Sequence, residues 1–311
     1  MPSQATQSLL ILAFIFYNVN TFHTKAMKIN KILPDENEFT KILTSVNPKP
    51  QALYYIGTLP AKRQPTITIV GTRKPTRYGQ EITHKLAYEL AKRGVIVVSG
   101  LALGVDGIAH RAALEARGNT LAVLANGLSK ITPHSHRQLG IDILASGGAI
   151  LSEYEPDVPP MQHRFLERHR IVSGLGDGVL ITEAAARSGT LSTAARALEQ
   201  GKEVFVVPGN ITSPLSAGCN QLLRQGATPV TRVEDILEVI MPSEIENQLK
   251  IPLGDNEYQA KIIELLSSGI RDGEELQHAS QLDTSTFSSE LTMLEIDGVV
   301  RALGGNQWTI R

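Results

Sequence analysis

The chain has 311 residues, 30 Lys and Arg against 31 Asp and Glu for a formal net charge of −1, and 42% hydrophobic, 20% charged and 5% aromatic residues. At roughly 100–200 residues per domain this length predicts two domains, and the apolar fraction excludes wholesale disorder. The single cysteine, Cys219, excludes a disulfide scaffold and an all-cysteine zinc site and fits a reducing compartment, while the near-neutral charge speaks at first sight against a nucleic-acid binder.

Residues 9–17 are continuously apolar, but a membrane-spanning helix needs about 20 such residues. No Lys or Arg precedes Lys25, and no small-residue cleavage site follows the apolar run, so an export signal is not matched either. Residues 1–26 are read as a tail or a mis-assigned start, with Met27-Lys28-Ile29-Asn30 as the alternative beginning. The protein is expected in the cytoplasm, without membrane attachment.

Residues 27–65 form an N-terminal segment broken by five prolines, with one short strand expected at 52–56. From Thr66 to Ile240, strands alternate with helices. The strands fall at Ile67–Val70, Val95–Val98, Thr120–Leu124, Ala149–Leu151, Gly178–Ile181 and Glu203–Val207. Between and after them lie helical stretches at 80–93, 107–116, 137–146, 165–173, 191–200, 220–224 and 233–240. The strands are almost unbroken runs of Val, Ile and Leu, as in sheets covered on both faces. The pattern predicts an α/β fold with a doubly wound, mostly parallel sheet. Pro242, Pro252 and Gly254 mark 241–256 as a linker. Three amphipathic helices (258–266, 274–282, 284–297) and a hairpin around Gly304-Gly305 then predict a small winged-helix domain over 257–311.

Ligands of open parallel sheets bind beyond the carboxyl ends of the strands, where strand order reverses. Three loops are therefore candidates. Gly71-Thr72-Arg73-Lys74-Pro75-Thr76-Arg77 joins glycine to three cations and opens a helix whose N-terminus favours anions. Ser99-Gly100-Leu101-Ala102-Leu103-Gly104-Val105-Asp106-Gly107 carries three glycines and an Asp suited to cap the next helix, with Asp106 and His110 spaced to form a local pair. Arg187-Ser188-Gly189-Thr190 again lies between strand and helix. Each has a plain reading as turn chemistry; together they offer backbone N–H groups to phosphate. A fourth segment, Gln162 to Arg170, packs Arg164, Phe165, Arg168 and Arg170 beside His163 and His169. Arginine binds phosphate bidentately, and Phe165 is placed to stack on an unpaired base; the plain alternative is a solvated basic face with Phe165 in the core.

No G-x-G-x-x-G, P-loop, G-x-S-x-G or H-E-x-x-H motif occurs. No catalytic set is recognised, and no metal or cofactor is expected. Cys219 reads as a small buried hydrophobe, His134 and His136 as a loop pair without a carboxylate, and Glu183 as the one candidate catalytic acid.

The series Ile69-Val70-Gly71-Thr72-Arg73-x-x-Thr76-x-Tyr78-Gly79, Val98-Ser99-Gly100-Leu101-Ala102-x-Gly104-Val105-Asp106, Leu151-Ser152-Glu153-Tyr154, Phe165-x-x-Arg168-x-Arg170-Ile171, Glu183-Ala184-x-x-Arg187-Ser188-Gly189-Thr190 and Glu203-Val204-Phe205-x-Val207-Pro208-Gly209 resembles the DNA-processing protein A (DprA/Smf) family, in order over about residues 50–240. The resemblance implies a Rossmann-like domain and a non-enzymatic protein. It implies binding of single-stranded DNA, a homodimer formed through the Rossmann-like domain, and loading of the RecA recombinase in natural transformation. It also implies a DNA pocket lined by Arg73, Phe165, Arg168, Arg170 and Ser188-Gly189-Thr190; with the loops read above, the candidate set is completed by Gly71, Thr72, Ser99, Gly100 and Arg164. His169 stands where the family usually has Asn, Leu166 where it has Pro, and Ala125-Asn126-Gly127 where it has Gly-Cys-Gly. The competing reading is a nucleoside-monophosphate-hydrolysing Rossmann-like enzyme using Glu183, although the Arg187–Thr190 loop lacks the glycine density such enzymes show. The winged helix sets Lys261, Arg271, Arg301 and Arg311 against Glu264, Asp272, Glu274, Glu275, Asp283, Glu290, Glu295 and Asp297, an acidic balance that favours protein contact over groove reading.

Overall fold

The computed structural model describes residues 28–241 and 256–310. Both the N-terminal tail (1–26) and nearly all of the expected linker lie outside those residues. Contacts divide the chain into two compact units, meeting between Ile240 and Met241.

The first unit is built on a nine-stranded sheet. Its strands are β1 (Asn30–Ile32), β2 (Leu53–Gly57), β3 (Thr66–Val70), β4 (Ile96–Ser99), β5 (Thr120–Leu124), β6 (Ala149–Ser152), β7 (Gly178–Ile181), β8 (Glu203–Val206) and β9 (Thr228–Pro229). They lie in the order β1-β2-β6-β5-β4-β3-β7-β8-β9. From β6 to β9 every pairing is parallel; β1 and β2 add an antiparallel edge beside β6. The helices are α1 (Arg77–Lys92), α2 (Val105–Glu115), α3 (Arg137–Ala145), α4 (Gln162–Leu175), α5 (Gly189–Glu199), α6 (Ala217–Arg224) and α7 (Glu234–Ile240).

Strands β3, β4, β5, β6 and β7 are buried at every position, which is why their sequences show no alternation. The chain winds outward from β3 through β4 and β5 to β6, then returns by α4 to β7 on the other side of β3. Strand order reverses between β3 and β7, and the crevice outside their carboxyl ends is the expected ligand position. Helix α4 packs along β3, β4 and β5 on this return, which brings its side chains beneath the same strand ends.

The sequence predicts one strand in the segment before Thr66; the structure adds β1 and two 3-10 turns, with Phe39 between them and Leu43 on the second both completely buried in the sheet's core. Such turns carry no 3.6- or 2-residue period to read. Strand β9 is also additional, only two residues long and ending in Pro229. Cys219 is buried in the same core, and burial pushes its thiol up to about 12. It is a packing residue, as expected.

The second unit contains α8 (Glu257–Ser267), α9 (Gly273–Ser280), α10 (Thr284–Ile296) and the hairpin β10 (Val300–Gly304) and β11 (Gln307–Ile310). Each helix begins at a side-chain cap: Asn256, Asp272 and Asp283 accept from the amides of the following turn. Ile262, Ile263, Leu276, Phe287, Leu291 and Leu294 form a core of its own. This is the expected winged-helix arrangement, with boundaries shifted by one or two residues.

Phe205 on β8 is fully buried, and its ring occupies the space that Gly178 on β7 leaves by having no side chain. Phe205→Ala is expected to cost about 3–5 kcal/mol of stability by opening that cavity, measured by urea unfolding; a loss below about 1 kcal/mol would show that the strands reclose over the gap.

Candidate nucleic-acid interface

Beyond the carboxyl ends of β3 and β7 lies an open cavity of about 830 Å³, continuous in its lining with a second of about 340 Å³ through Arg73, Ala102, Pro160, Phe165 and Arg168. Gly71, Thr72 and Arg73 come from the β3 loop, Ala102 from the β4 loop, Phe165, Arg168 and His169 from α4, and Arg187, Ser188, Gly189 and Thr190 from the β7 loop.

The three loops are fastened to one another. The Thr72 amide donates to the Glu183 carbonyl (2.8 Å), and the Val105 amide donates to the Thr72 carbonyl (3.2 Å). Glycine is required where they meet. A Cβ at Gly104, whose φ is +78°, would lie 2.4 Å from the Thr72 carbonyl oxygen, and one at Gly71 would strike Val105 and the Glu183 carbonyl. Glu183 is buried, and its carboxylate accepts from the Thr76 amide (2.8 Å) and hydroxyl (2.7 Å). The sequence offered it as a catalytic acid; in the structure it braces β7 to the start of α1, and it does not line this cavity.

The arginines divide by role. Arg73 is exposed and sits over the Phe165 ring, 5.6 Å from its centroid, a cation–π contact that holds the ring at the cavity wall. Arg168 lines the cavity, but its side chain is buried: Nη1 donates to the carbonyls of Gly100 (2.7 Å) and Val123 (2.9 Å). Burial lowers its pKa while Asp106 opposes that shift. Asp106 does not cap its helix and does not pair with His110. Its carboxylate accepts from the amides of Gly100 (3.0 Å) and Ala102 (3.3 Å) and faces Arg168, while burial pushes its pKa up. His110 bonds Thr120 instead (2.7 Å), and burial drives its ring down to about 3.

Other candidates are placed elsewhere. Gly100 lines only the smaller cavity, where a Cβ would lie 2.0 Å from Arg168 Nη1. Ser99 is fully buried and donates to the Ile69 carbonyl (2.7 Å), bracing β4 against β3. Arg164 stacks over Tyr154 at 5.2 Å and donates to the Pro159 carbonyl. Arg170 is buried in an ion pair with Glu153. None of these last three lines either cavity. The i, i+4 spacing of Arg164 and Arg168 would put both on one helical face; one turn apart, they separate into a surface contact and a buried one. Arg77 is drawn off to Glu81 (3.1 Å), leaving Arg73 as the cation that the β3 loop presents to the cavity. His136 turns inward to donate from Nδ1 to the Leu101 carbonyl (2.9 Å).

Sequence reasoning did not select His169 or Met161 as contacts, and it noted Asp106, Ala102 and Arg187 only as parts of their loops. All five line the cavity. Two helix N-termini also open there, at Met161-Gln162 and at Ser188-Gly189. The Ser188 hydroxyl accepts from the Thr190 amide (3.2 Å). With Arg73 and Arg187 these termini make the site suited to anions, and Phe165 gives it a flat apolar wall. Among the described residues no group of three or more His, Cys, Asp or Glu is placed to hold a metal ion, and no helix is long and apolar enough to cross a membrane.

Residues 30–241 match the family model described as DNA recombination-mediator protein A, and residues 252–306 match the DprA winged helix domain. The chain is similar to Protein Smf of Escherichia coli (46% identity; 67% of this chain, 56% of the relative) and to DNA processing protein DprA of Bacillus subtilis (41%; 68% and 71%). It therefore spans little more than half the length of the first of these. Solved structures of DNA processing protein A are also similar: that from Streptococcus pneumoniae at TM-score 0.64 and 34% identity (68% of this chain, 75% of that one), and that from Helicobacter pylori, solved to show its single-stranded DNA binding mode, at 0.61 and 33% (70% and 97%). A Rossmann-like sheet followed by a winged helix, with family models matched over residues 30–241 and 252–306, places the chain in the DNA recombination-mediator protein A (DprA/Smf) family.

Proposed function

We propose that this protein binds single-stranded DNA in the crevice between β3 and β7 and acts without catalysing a reaction. The observation that carries the reading is the pairing of Arg73 with the Phe165 ring over a cavity entered by two helix N-termini. Cation and amides meet phosphate, while the ring meets an unstacked base, which only a single strand presents freely. Gly71, Thr72, Arg73, Phe165, Ser188, Gly189 and Thr190 make these contacts, and Arg168 with Gly100 forms the floor. Ser99, Arg164 and Arg170 act from behind the site, holding strand and helix in place. The single-stranded DNA binding shown for the H. pylori relative supports this reading.

Around this activity we place the family's wider role. The protein acts as a homodimer joined through the Rossmann-like domain. It works in the cytoplasm, protects incoming strands and hands them to the RecA recombinase during transformation and recombination. The winged helix serves protein contact: α10 carries Glu290 and Glu295 and no Lys or Arg, which disfavours a duplex groove.

Oligo-dT is expected to bind more tightly than duplex of equal length, with affinity falling as salt rises, by a log–log slope of about −0.7 for each phosphate neutralised. Arg73→Ala should weaken binding about tenfold, shallow that slope by about one contact and leave thermal stability unchanged. Arg168→Ala should instead cost about 3 kcal/mol of stability, because it leaves Asp106 buried without its cation. Fluorescence anisotropy and thermal unfolding of the two variants separate these roles, and an Arg73→Ala protein that binds like wild type would remove Arg73 from the interface. Nucleoside monophosphates should release no free base on incubation, since the Glu183 carboxylate is engaged by Thr76; release that disappears in Glu183→Gln would show an enzyme.

A further inference from the structure

Histidine 169 is the one cavity-lining imidazole among the described residues, and nothing above gives it a task. It projects from α4 between Arg168 and Arg170, and its Cε1 lies 3.8 Å from where a Cβ on Gly189 would stand, at the N-terminus of α5. Its Nδ1 is buried without a hydrogen-bond partner. The charged groups acting on the ring come from three elements and are all cationic: Arg168 on α4, Arg73 on the β3 loop and Arg196 on α5. Arg187 joins Arg73 and Arg168 as a third cation in the lining. Asp106, the carboxylate in the lining, is engaged by the Gly100 and Ala102 amides and faces Arg168.

We propose that His169 is a proton-coupled ligand for the DNA backbone, its ring taking up a proton as a phosphate enters beside the Ser188-Gly189 helix start. The inference rests on the crevice being the DNA site. In the free protein, burial and then the neighbouring arginines hold the ring down at about 4, so it is neutral near pH 7. A phosphate brought against it is an opposite charge and favours the protonated form. Protonation and binding are then linked, and each strengthens the other. Affinity rises as pH falls through the bound-state pKa and levels off below the free-state value. If the phosphate only cancels the effect of the surroundings, the ring returns to about 6.5, and affinity rises about tenfold between about pH 7.5 and about pH 5.5. A half-turn about the Cβ–Cγ bond exchanges Cε1 with Nε2, which turns Nε2 toward Gly189 and the incoming phosphate.

The test is oligo-dT affinity of the full chain by fluorescence anisotropy at those two pH values, for wild type, His169→Asn and His163→Asn. Asn keeps a polar N–H at the position but cannot take up a proton. Wild type and His163→Asn are expected to gain about tenfold on acidification, and His169→Asn less than about twofold. Calorimetry in two buffers of different ionisation enthalpy should show proton uptake on binding in wild type and none in His169→Asn. Should His169→Asn fold poorly by circular dichroism, His169→Gln carries the same expectation. An equal gain in His169→Asn and wild type, or no gain in wild type, overturns the proposal while leaving the binding site intact. Absence of oligo-dT binding by wild type at either pH would instead overturn the reading of the crevice itself, and this proposal with it.

Discussion

Where a parallel sheet reverses its strand order, two neighbouring strands send their following segments to opposite faces, and a gap opens between their ends. Glu183 spans that gap. Its carbonyl accepts from Thr72 in the β3 loop, and its carboxylate accepts from Thr76 at the start of α1. A buried carboxylate needs such donors, since an unpaired one would be strongly disfavoured. The same bonds leave the β3 loop one position, and Gly71 and Gly104 allow the β4 loop to approach it. The β3 and β4 loops that line the crevice are arranged around this brace.

A second fastening lies under the first. The guanidinium of Arg168 is stitched to the ends of β4 and β5 through the Gly100 and Val123 carbonyls, with Asp106 as its counter-charge. It fixes α4 on its long return from β6, and so fixes Phe165 one turn earlier and His169 one residue later. Two arginines that look alike in sequence thus do different physical work. Arg168 spends its hydrogen bonds on the protein. Arg73, exposed against Phe165, keeps its donors for a ligand. A buried ion network positions; an exposed cation on a rigid loop binds.

Much of this was legible in the sequence. Almost unbroken runs of Val, Ile and Leu disclosed a sheet covered on both faces, and the loops after β3, β4 and β7 were identifiable as the ones meeting at the switch point. What could not be read was the direction of individual side chains. Arg164 and Arg168 share a helical face by spacing, yet one stacks on Tyr154 and the other is buried, because the first turn of α4 is largely exposed and its later turns are buried. Asp106 looked like a helix cap, but the left-handed backbone at Leu101 and Gly104 turns the preceding amides back onto it. His169 was noted in the basic segment, but its spacing gave no sign that it faces the cavity. The N-terminal segment entered the core through Phe39, between two 3-10 turns, and Leu43 on the second; such turns have no signature in hydrophobic spacing.

The net charge of −1 conceals a division of labour. Several cations near the start of the sheet are neutralised locally, Arg63 by Asp177, Arg77 by Glu81 and Arg93 by Glu89 and Glu234, and acids crowd the winged helix. The field that matters is local to the crevice, where Arg73, Arg187 and two helix N-termini face open space. Hydrogen–deuterium exchange of the full chain with and without oligo-dT tests this most directly. The account predicts that amides of 71–76, the first turn of α4 and 187–190 slow on binding, while those of α10 and its hairpin do not. Protection confined to residues 284–310, with the crevice amides unchanged, would contradict it.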